Sequence, residues 1–183
     1  MISAVPAIET PSELVRRAMG EFEGPLVGFT NGIVGDLETA RDIVQETFLK
    51  LYQQEPGRIT EHGLKAWLYM VCRNRALDSL RKRKRTVSIE EEAVGELASH
   101  DLGPDELVSQ EEESANVLRF IQRLPKNQQE VIRLKFQSDL SYKEISTVTG
   151  LSISNVGFLI HTALHRLRQM LSHESNELSH ATH

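Results

Sequence analysis

The sequence predicts an all-α protein of two small helical domains joined by a flexible acidic linker. Two long stretches repeat apolar residues at steps of three and four, the spacing of helices that bury one side. Leu, Ala, Glu, Arg and Gln fill these stretches, whereas most of the 6 prolines and 11 glycines lie between them. Because no segment alternates apolar and polar residues for long, the sequence predicts no strand.

The charge changes sign along the chain. The net charge of -5, from 21 basic and 26 acidic residues, by itself argues against a simple nucleic-acid binder. Residues 64–85, however, hold eight basic groups and one acidic group, and residues 117–171 hold eight basic and three acidic groups. Residues 86–116 hold ten acidic groups and neither Lys nor Arg. Two cationic segments therefore flank an acidic connector.

These changes predict five segments. They are a disordered N-terminus (1–11), a first helical domain (12–85), the acidic linker (86–116), a second helical domain (117–171) and a C-terminal tail (172–183).

The single cysteine, Cys72, excludes an internal disulfide and any zinc site built from several cysteines. The first ten residues carry neither positive charge nor an apolar core, and no run approaches eighteen apolar residues. We therefore expect a cytoplasmic protein without membrane insertion.

The first domain is predicted to contain three helices. The first runs from about Pro11 to Val34 and should break near Gly24 and Pro25, because proline removes a helical hydrogen bond. Asp36 is placed to cap the second, whose buried side holds Leu37, Ala40, Val44, Phe48 and Leu51.

The third helix follows a loop from Glu55 to Gly63. Its buried side carries Leu64, Trp67, Leu68, Val71, Cys72, Ala76 and Leu80. We assign Trp67 to the core, since a tryptophan on an apolar side of a helix packs inside more often than it stacks on a base. The basic residues then project from the opposite side and from the helix end.

The second domain carries the pattern of a helix-turn-helix. Ser141 and Glu144 have the spacing of a capping box, and Gly150 can end the helix that they start. Ser152 or Ser154 can cap the next helix, whose inner side holds Val156, Leu159, Ile160, Ala163, Leu164, Leu167 and Leu171. A supporting helix begins at Pro125 and supplies Val131, Ile132, Leu134 and Phe136. Two crossed helices joined by a glycine turn are typical of DNA-binding modules.

Three segments of the chain resemble a known family. Gly35 to Tyr52 (GDLETARDIVQETFLKLY) and Leu64 to Arg85 (LKAWLYMVCRNRALDSLRKRKR) resemble region two of the bacterial sigma-70 family, and Leu124 to Leu171 resembles region four. Because no middle region separates them, the chain is similar to the extracytoplasmic-function group of sigma factors. The resemblance implies promoter recognition, DNA melting and transcription initiation with core RNA polymerase.

The resemblance also implies three binding surfaces. The second helix would bind the clamp helices of the polymerase through Asp42, Gln45, Glu46 and Leu49. The loop from Glu55 to His62 would hold an extruded minus-ten base, and the third helix would read and anchor that element; the residues are Arg58, His62, Asn74, Arg75, Arg81 and Arg83.

The minus-thirty-five element would be read in the major groove from the start of the last helix, through Ser152, Ser154, Asn155 and Phe158. Family members commonly carry basic residues where this chain has Gly157, Phe158 and Leu159. Phosphate anchoring is therefore expected later on the helix, from His161, His165, Arg166 and Arg168.

Other interpretations fit parts of the sequence. A helix-turn-helix regulator with an N-terminal sensor or dimerisation domain is the second candidate, and the basic run from Arg81 to Arg85 could be a solvated helix end or a localisation signal. His161 and His165 stand four apart but lack a third ligand, so no metal is expected. We find no constellation typical of an enzyme and expect no cofactor. The resemblance further suggests an anti-sigma factor as a partner, which the sequence neither requires nor excludes.

Overall fold

A computed structural model describes residues 10–55, 58–91 and 118–181, without the side chains of residues 61–62, 86–91 and 173–181. Every regular element in this part is helical, which confirms the all-α prediction. The chain divides into two units, residues 1–100 and 101–183. Most of the predicted acidic linker, from residue 92 onward, lies outside the described residues.

Unit 1 consists of three helices, α1 (Pro11–Val34), α2 (Leu37–Tyr52) and α3 (Glu61–Glu91). Pro11 is the first residue of α1, as the helical pattern predicted, and Thr10, from the segment predicted to be disordered, caps the helix. Thr10 Oγ1 accepts a hydrogen bond from the Glu13 N–H at 3.3 Å, and Glu13 Oε2 accepts one from the Thr10 N–H at 2.9 Å. The helix therefore begins with a closed capping box.

The predicted break in α1 was wrong, because the helix runs without interruption through Pro25. Gly24 and Pro25 are exposed, whereas Phe22 and Leu26 are buried. The lost hydrogen bond and the proline ring thus lie on the solvent side, where water can satisfy the freed carbonyl. Gly24 also lacks the Cβ that would clash with the proline ring.

The core of unit 1 forms where the three helices pack together. Gly35, at a φ of 73°, ends α1, and Asp36 caps α2 by accepting the Thr39 N–H at 2.8 Å, as predicted. Phe29 and Tyr69 meet edge to face with ring centroids 5.2 Å apart. The other core side chains are Ala18, Phe22, Leu26, Val34, Ala40, Ile43, Val44, Phe48, Leu51, Leu64, Ala66, Leu68, Val71, Cys72 and Ala76. Leu37, predicted on the buried side of α2, is 44% exposed because it lies in the first turn of the helix.

Trp67 is not a core residue, contrary to the sequence prediction. It is half-buried, and so is Leu80 at the far end of the predicted buried side. Seven residues separate Trp67 from Asn74, which is exposed, and this spacing of two turns puts both on one side of α3. The core side of the helix is instead occupied by Leu68, Val71 and Cys72.

Cys72 lies in a small polar group inside unit 1. Its Sγ–H donates to Thr47 Oγ1 at 3.3 Å, and the Thr47 hydroxyl donates to the Ile43 carbonyl at 2.8 Å. Burial raises the pKa of the Cys72 thiol to about 11, against the opposing effect of the Thr47 and Thr30 hydroxyls. The thiol is therefore a neutral, packed group, as the sequence predicted.

This environment predicts an unreactive cysteine. At about pH 8, roughly one Cys72 thiol in a thousand is ionised, against roughly a quarter of unfolded cysteines, whose pKa is about 8.5. Alkylation of the native chain by iodoacetamide is expected to be at least about a hundredfold slower than alkylation in concentrated urea. Mass spectrometry of the alkylated chain over time measures both rates. Equal rates would contradict the buried position of the thiol.

Unit 2 is built from α4 (Lys126–Ile132), a π-helical turn (Arg133–Gln137), α5 (Tyr142–Thr149) and α6 (Ile153–Ala181). Residues 118–122 are also helical. The buried Gln129 joins this segment to α4, because its Nε2 donates to the carbonyls of Gln122 at 2.8 Å and Leu124 at 2.7 Å. The start of α4 at Pro125, predicted from the sequence, is confirmed.

Four apolar residues of unit 2 depart from the predicted core. Leu164 and Leu167, on the predicted inner side of α6, are only half-buried. Phe136 is 58% exposed, because the chain leaves the π-helical turn there and the fully buried Leu134 and Leu140 fill the neighbouring core positions. Leu171, near the end of the predicted inner side of α6, is also exposed. The segment predicted as a tail is helical as far as Ala181.

The helix-turn-helix has the predicted local geometry. Ser141 Oγ accepts the Glu144 N–H at 3.3 Å while Glu144 Oε2 accepts the Ser141 N–H at 2.7 Å. Gly150 ends α5 at a φ of 75°. The hydroxyl of Ser146, a residue of α5, donates to the Leu151 carbonyl at 2.6 Å and so ties the helix to the turn that follows it. Of the two candidate caps for α6, Ser152 is the one used, since its Oγ accepts the Asn155 N–H at 3.2 Å.

Candidate polymerase and nucleic-acid interfaces

The four predicted polymerase-binding residues share the exposed side of α2. Asp42, Gln45, Glu46 and Leu49 are all exposed, and their spacings of three and four residues align them along the helix. Leu49 is 64% exposed, so this side of α2 presents an apolar group beside the polar ones. We call these four residues and Tyr52 the α2 stripe.

Tyr52 was not among the residues predicted from the sequence. It lies three residues after Leu49 and is 54% exposed. An aromatic residue in the last turn of the helix was the signal that could have identified Tyr52, because aromatic residues are enriched at interfaces. With Tyr52 the stripe combines two carboxylates and an amide with two adjacent apolar side chains.

One ion pair joins the α2 stripe to α3. Arg75 Nη1 donates to Glu46 Oε2, and both side chains keep partial exposure. The sequence predicts that Glu46 faces polymerase and Arg75 faces DNA, so this ion pair connects the two predicted surfaces. Exposed ion pairs contribute about 0–1 kcal/mol, so either partner can be taken by a competing ligand.

The exposed side of α3 carries the remaining minus-ten residues. Asn74 is exposed, and Arg81 is exposed with its Nη1 at 2.8 Å from Asp78 Oδ1. Arg83 is close enough to Asp36 to contribute to lowering the pKa of that carboxyl, after the larger effect of the Thr39 side-chain and backbone hydrogen bonds. The cations therefore extend from the middle of α3 towards the turn between α1 and α2.

The loop before α3 is described only in part. Arg58 is exposed, and its N–H donates to the Glu55 carbonyl at 3.1 Å. Residues 56 and 57 and the side chain of His62 lie outside the described residues. The predicted pocket for an extruded base remains a prediction.

The start of α6 presents a neutral surface. Ser154, Asn155 and Phe158 are exposed, whereas the Ser152 hydroxyl is engaged in capping the helix. Leu159 is buried and adds nothing to this surface. No residue from Leu151 to Ile160 is charged, so any phosphate contact of α6 has to come from later residues.

The predicted phosphate anchors continue along α6. Ser154, Phe158, His161, His165 and Arg168 follow one another at steps of four and three residues and form one outward line, which we call the α6 line. Arg166 lies beside it, and its Nη1 donates to Gln128 Oε1 on α4 at 3.3 Å. The structure thus brings the neutral and cationic parts of the predicted surface onto one helix face, with Asn155 and Arg166 at its margin.

Arg166 provides a test of the anchoring prediction. Arg166→Ala is expected to weaken promoter binding and to reduce the slope of log affinity against log salt by about 1, because one phosphate contact is lost. Arg166→Lys, which keeps the charge, should keep the slope. Fluorescence anisotropy of labelled promoter DNA over a salt series measures both quantities. Unchanged affinity and slope in Arg166→Ala would exclude the residue as an anchor.

Two further properties concern the described residues only. Within them, no group of three or more His, Cys, Asp or Glu side chains could hold a metal ion. No single helix there has the length and hydropathy to cross a membrane; Tyr142–Thr149 and Ile153–Ser172 meet that standard only as a pair, with a bend of 104° between them.

Comparison with known proteins identifies both units. Residues 19–86 match the model of Sigma-70 region 2, and residues 114–167 match that of Sigma-70, region 4. The chain is 28% identical over 151 residues to the extracytoplasmic-function (ECF) RNA polymerase sigma factor SigM of Bacillus subtilis, covering 81% of this chain and 90% of that protein. It is 31% identical over 137 residues to the ECF sigma factor RpoE of Cereibacter sphaeroides, covering 74% and 71%.

Solved structures share the fold. The sigma factor RpoE from Bartonella quintana, crystallised with the anti-sigma factor NepR, superposes with a TM-score of 0.69 at 24% identity, over 86% of this chain and 96% of that one. CnrH, in complex with the cytosolic domain of CnrY, gives a TM-score of 0.59 at 21% identity, over 88% and 89%. The chain belongs to the sigma-70 family, in its extracytoplasmic-function group, and functions as a sigma factor in transcription initiation by RNA polymerase.

Proposed function

We propose that unit 1 binds core RNA polymerase through the α2 stripe and captures the minus-ten element with α3, while unit 2 reads the minus-thirty-five element with α6. The observation that carries this assignment is the exposed α2 stripe, whose two apolar side chains are surrounded by acidic and amide groups. Such a surface suits a helical polymerase partner, because apolar anchors supply affinity and the polar rim supplies orientation.

The proposed role of α3 depends on its charge. A base can be read on its edges only after it has left the stack, and a cationic surface can hold the strand that leaves. Arg75 and Arg81 are paired with Glu46 and Asp78 in the free chain. Because exposed pairs are weak, DNA phosphates can replace these carboxylates when the strand arrives.

The chain itself is proposed to make and break no covalent bond. It acts by binding and strand capture, and the polymerase performs the chemistry in the bacterial cytoplasm. We propose residues 12–85 and 117–171 as the two functional domains, with residues 86–116 as the connector. The alternative regulator with an N-terminal sensor is not favoured, since the match to Sigma-70 region 2 spans residues 19–86.

An anti-sigma factor is the proposed regulatory partner. The two structures with the same fold were each obtained as complexes, one with the anti-sigma factor NepR and one with the cytosolic domain of CnrY. A protein that covers the α2 stripe would compete with core polymerase for Leu49 and its neighbours. Added before core polymerase, such a partner should suppress initiation.

Run-off transcription tests the proposed function. The purified chain is combined with core polymerase and a promoter library, and transcripts are sequenced from their starts. We expect initiation from a defined promoter class and co-purification of the chain with core polymerase. No specific initiation together with no co-purification would overturn the proposal.

A further inference from the structure

The first two turns of α6 carry an exposed aromatic ring among uncharged residues. Phe158 is 67% exposed, and Ile153 nearby is 52% exposed. No residue from Leu151 to Ile160 is charged. In the free chain this surface exposes apolar area to water at the end of the helix that meets DNA.

The neighbouring side chains fix how Phe158 is presented. Ser154 precedes it and His161 follows it on the α6 line, so the ring stands between a hydroxyl and an imidazole on the same face. Gly157 faces the other way, towards the ring of Tyr142, since a Cβ placed there would lie 3.5 Å from Tyr142 Cε2. The Tyr142 ring therefore covers the backbone at Gly157 and leaves Phe158 as the side chain that projects outward.

Chemistry restricts what Phe158 can recognise. Base edges in the major groove present hydrogen-bond donors and acceptors, and the one apolar group among them is the C5-methyl group of thymine. A phenylalanine ring offers no strong donor or acceptor, so it discriminates sequence by apolar contact. Asn155, three residues before it, carries an amide that suits adenine, the partner base of thymine.

Resting on the proposed function of α6, we propose that Phe158 reads a thymine C5-methyl group in the minus-thirty-five element. The residue then determines specificity at that position through an apolar contact. Its contribution is lost when the methyl group is absent, even if the base pair and its hydrogen-bonding groups are unchanged.

Uracil substitution tests this directly, because deoxyuridine lacks only the methyl group of thymidine. Promoters from which the wild-type holoenzyme initiates are remade with deoxyuridine at each minus-thirty-five thymine in turn. At one or two positions we expect wild-type binding to fall about three- to fivefold, the factor given by burying one methyl-sized group. Phe158→Ala should bind all these promoters equally and more weakly, whereas Phe158→Leu should keep part of the methyl sensitivity.

Two controls separate the contact from other effects. In the first control, a 5-methylcytosine–guanine pair replaces the pair at the sensitive position, which restores a methyl group at the same place in the groove. The wild-type protein should regain part of its affinity for this promoter. Phe158→Ala should regain none. Phe136→Ala, which removes another largely exposed ring outside α6, should keep the full uracil response. Since Phe158 is exposed, its replacement leaves the core of unit 2 intact.

The results that would overturn the reading of a thymine methyl group by Phe158 differ from those that would overturn the proposed function. A wild-type holoenzyme that initiates but ignores every uracil substitution overturns the methyl reading and leaves the sigma function standing. The same uracil response in Phe158→Ala also overturns it. If uracil has no effect while Phe158→Ala weakens binding to core polymerase, the ring contacts protein instead. Failure to initiate from any promoter overturns both proposals.

Discussion

Replacing Asp42 and Leu49 together by alanine is expected to weaken binding of core RNA polymerase by about a hundredfold or more. Both side chains belong to the α2 stripe, and removal of a central anchor at a protein interface costs about 2 kcal/mol. Because both are exposed, the three-helix core should be unaffected. Biolayer interferometry with immobilised core polymerase measures the dissociation constant.

A matched variant on α1 serves as the control. Met19 and Glu23 are an apolar and an acidic side chain, four residues apart and exposed, so Met19→Ala with Glu23→Ala removes similar surface from another helix. This control should bind core polymerase like the wild type. Trp67 is the only tryptophan, and its fluorescence reports whether unit 1 is folded in each variant. Equal affinity of the α2 variant and the control would contradict the assignment of the α2 stripe.

Gly150→Val is expected to lower the melting temperature of unit 2 by about 10–20 °C and to abolish minus-thirty-five selection. Gly150 has a φ of 75°, a conformation that costs a residue with a side chain about 1–3 kcal/mol. A unit of this size has a total stability of only about 4–12 kcal/mol, and each kcal/mol shifts the midpoint by about 4–8 °C. The turn that sets the angle between α5 and α6 is therefore intolerant of valine.

Circular dichroism follows the melting, and Trp67 fluorescence follows unit 1 separately. Gly157→Ala is the matched control, because Gly157 lies within α6 and its added Cβ would make an ordinary 3.5 Å contact with Tyr142. The control should be as stable as the wild type or more stable, since alanine favours helix over glycine by about 1 kcal/mol. Equal melting of Gly150→Val and the wild type would contradict the role of the turn.

Local chemistry explains what could be predicted from the sequence. The capping box of Ser141 and Glu144, the Asp36 cap and the Gly150 helix end each depend on residues three to five positions apart, and all were confirmed. The exposed side of α2 follows from the helical period, so the placement of the stripe could be derived from the sequence alone. The resemblance to the sigma-70 family predicted the function of a sigma factor, and the matches to the two family models confirm it.

Features that depend on tertiary packing could not be predicted. Pro25 lies within a continuous helix because the packed face of α1 holds both halves in line. Phe136 is exposed because Leu134 and Leu140 fill the adjacent core, and Trp67 sits at the margin of α3 since smaller residues occupy its inner side. Periodicity predicts the side of the helix on which each residue lies. It does not predict which residues of the other elements pack against that side.

Contacts between residues that are far apart in the sequence could not be predicted either. Glu46 and Arg75 are 29 positions apart, and their pairing depends on how α2 packs against α3. Neither helix alone contains a signal for it. The individual contacts of both residues with polymerase and DNA remain predictions.

The pairing of Glu46 with Arg75 also determines how mutants of this protein should be interpreted. A substitution at Glu46 removes a group from the α2 stripe, the predicted polymerase-binding surface, and at the same time frees a guanidinium among the predicted DNA-binding residues of α3. Glu46 is therefore a poor choice for a separation-of-function variant, whereas Asp42 and Leu49 are good ones. For the same reason, a substitution at either position 46 or position 75 is expected to alter both predicted binding surfaces.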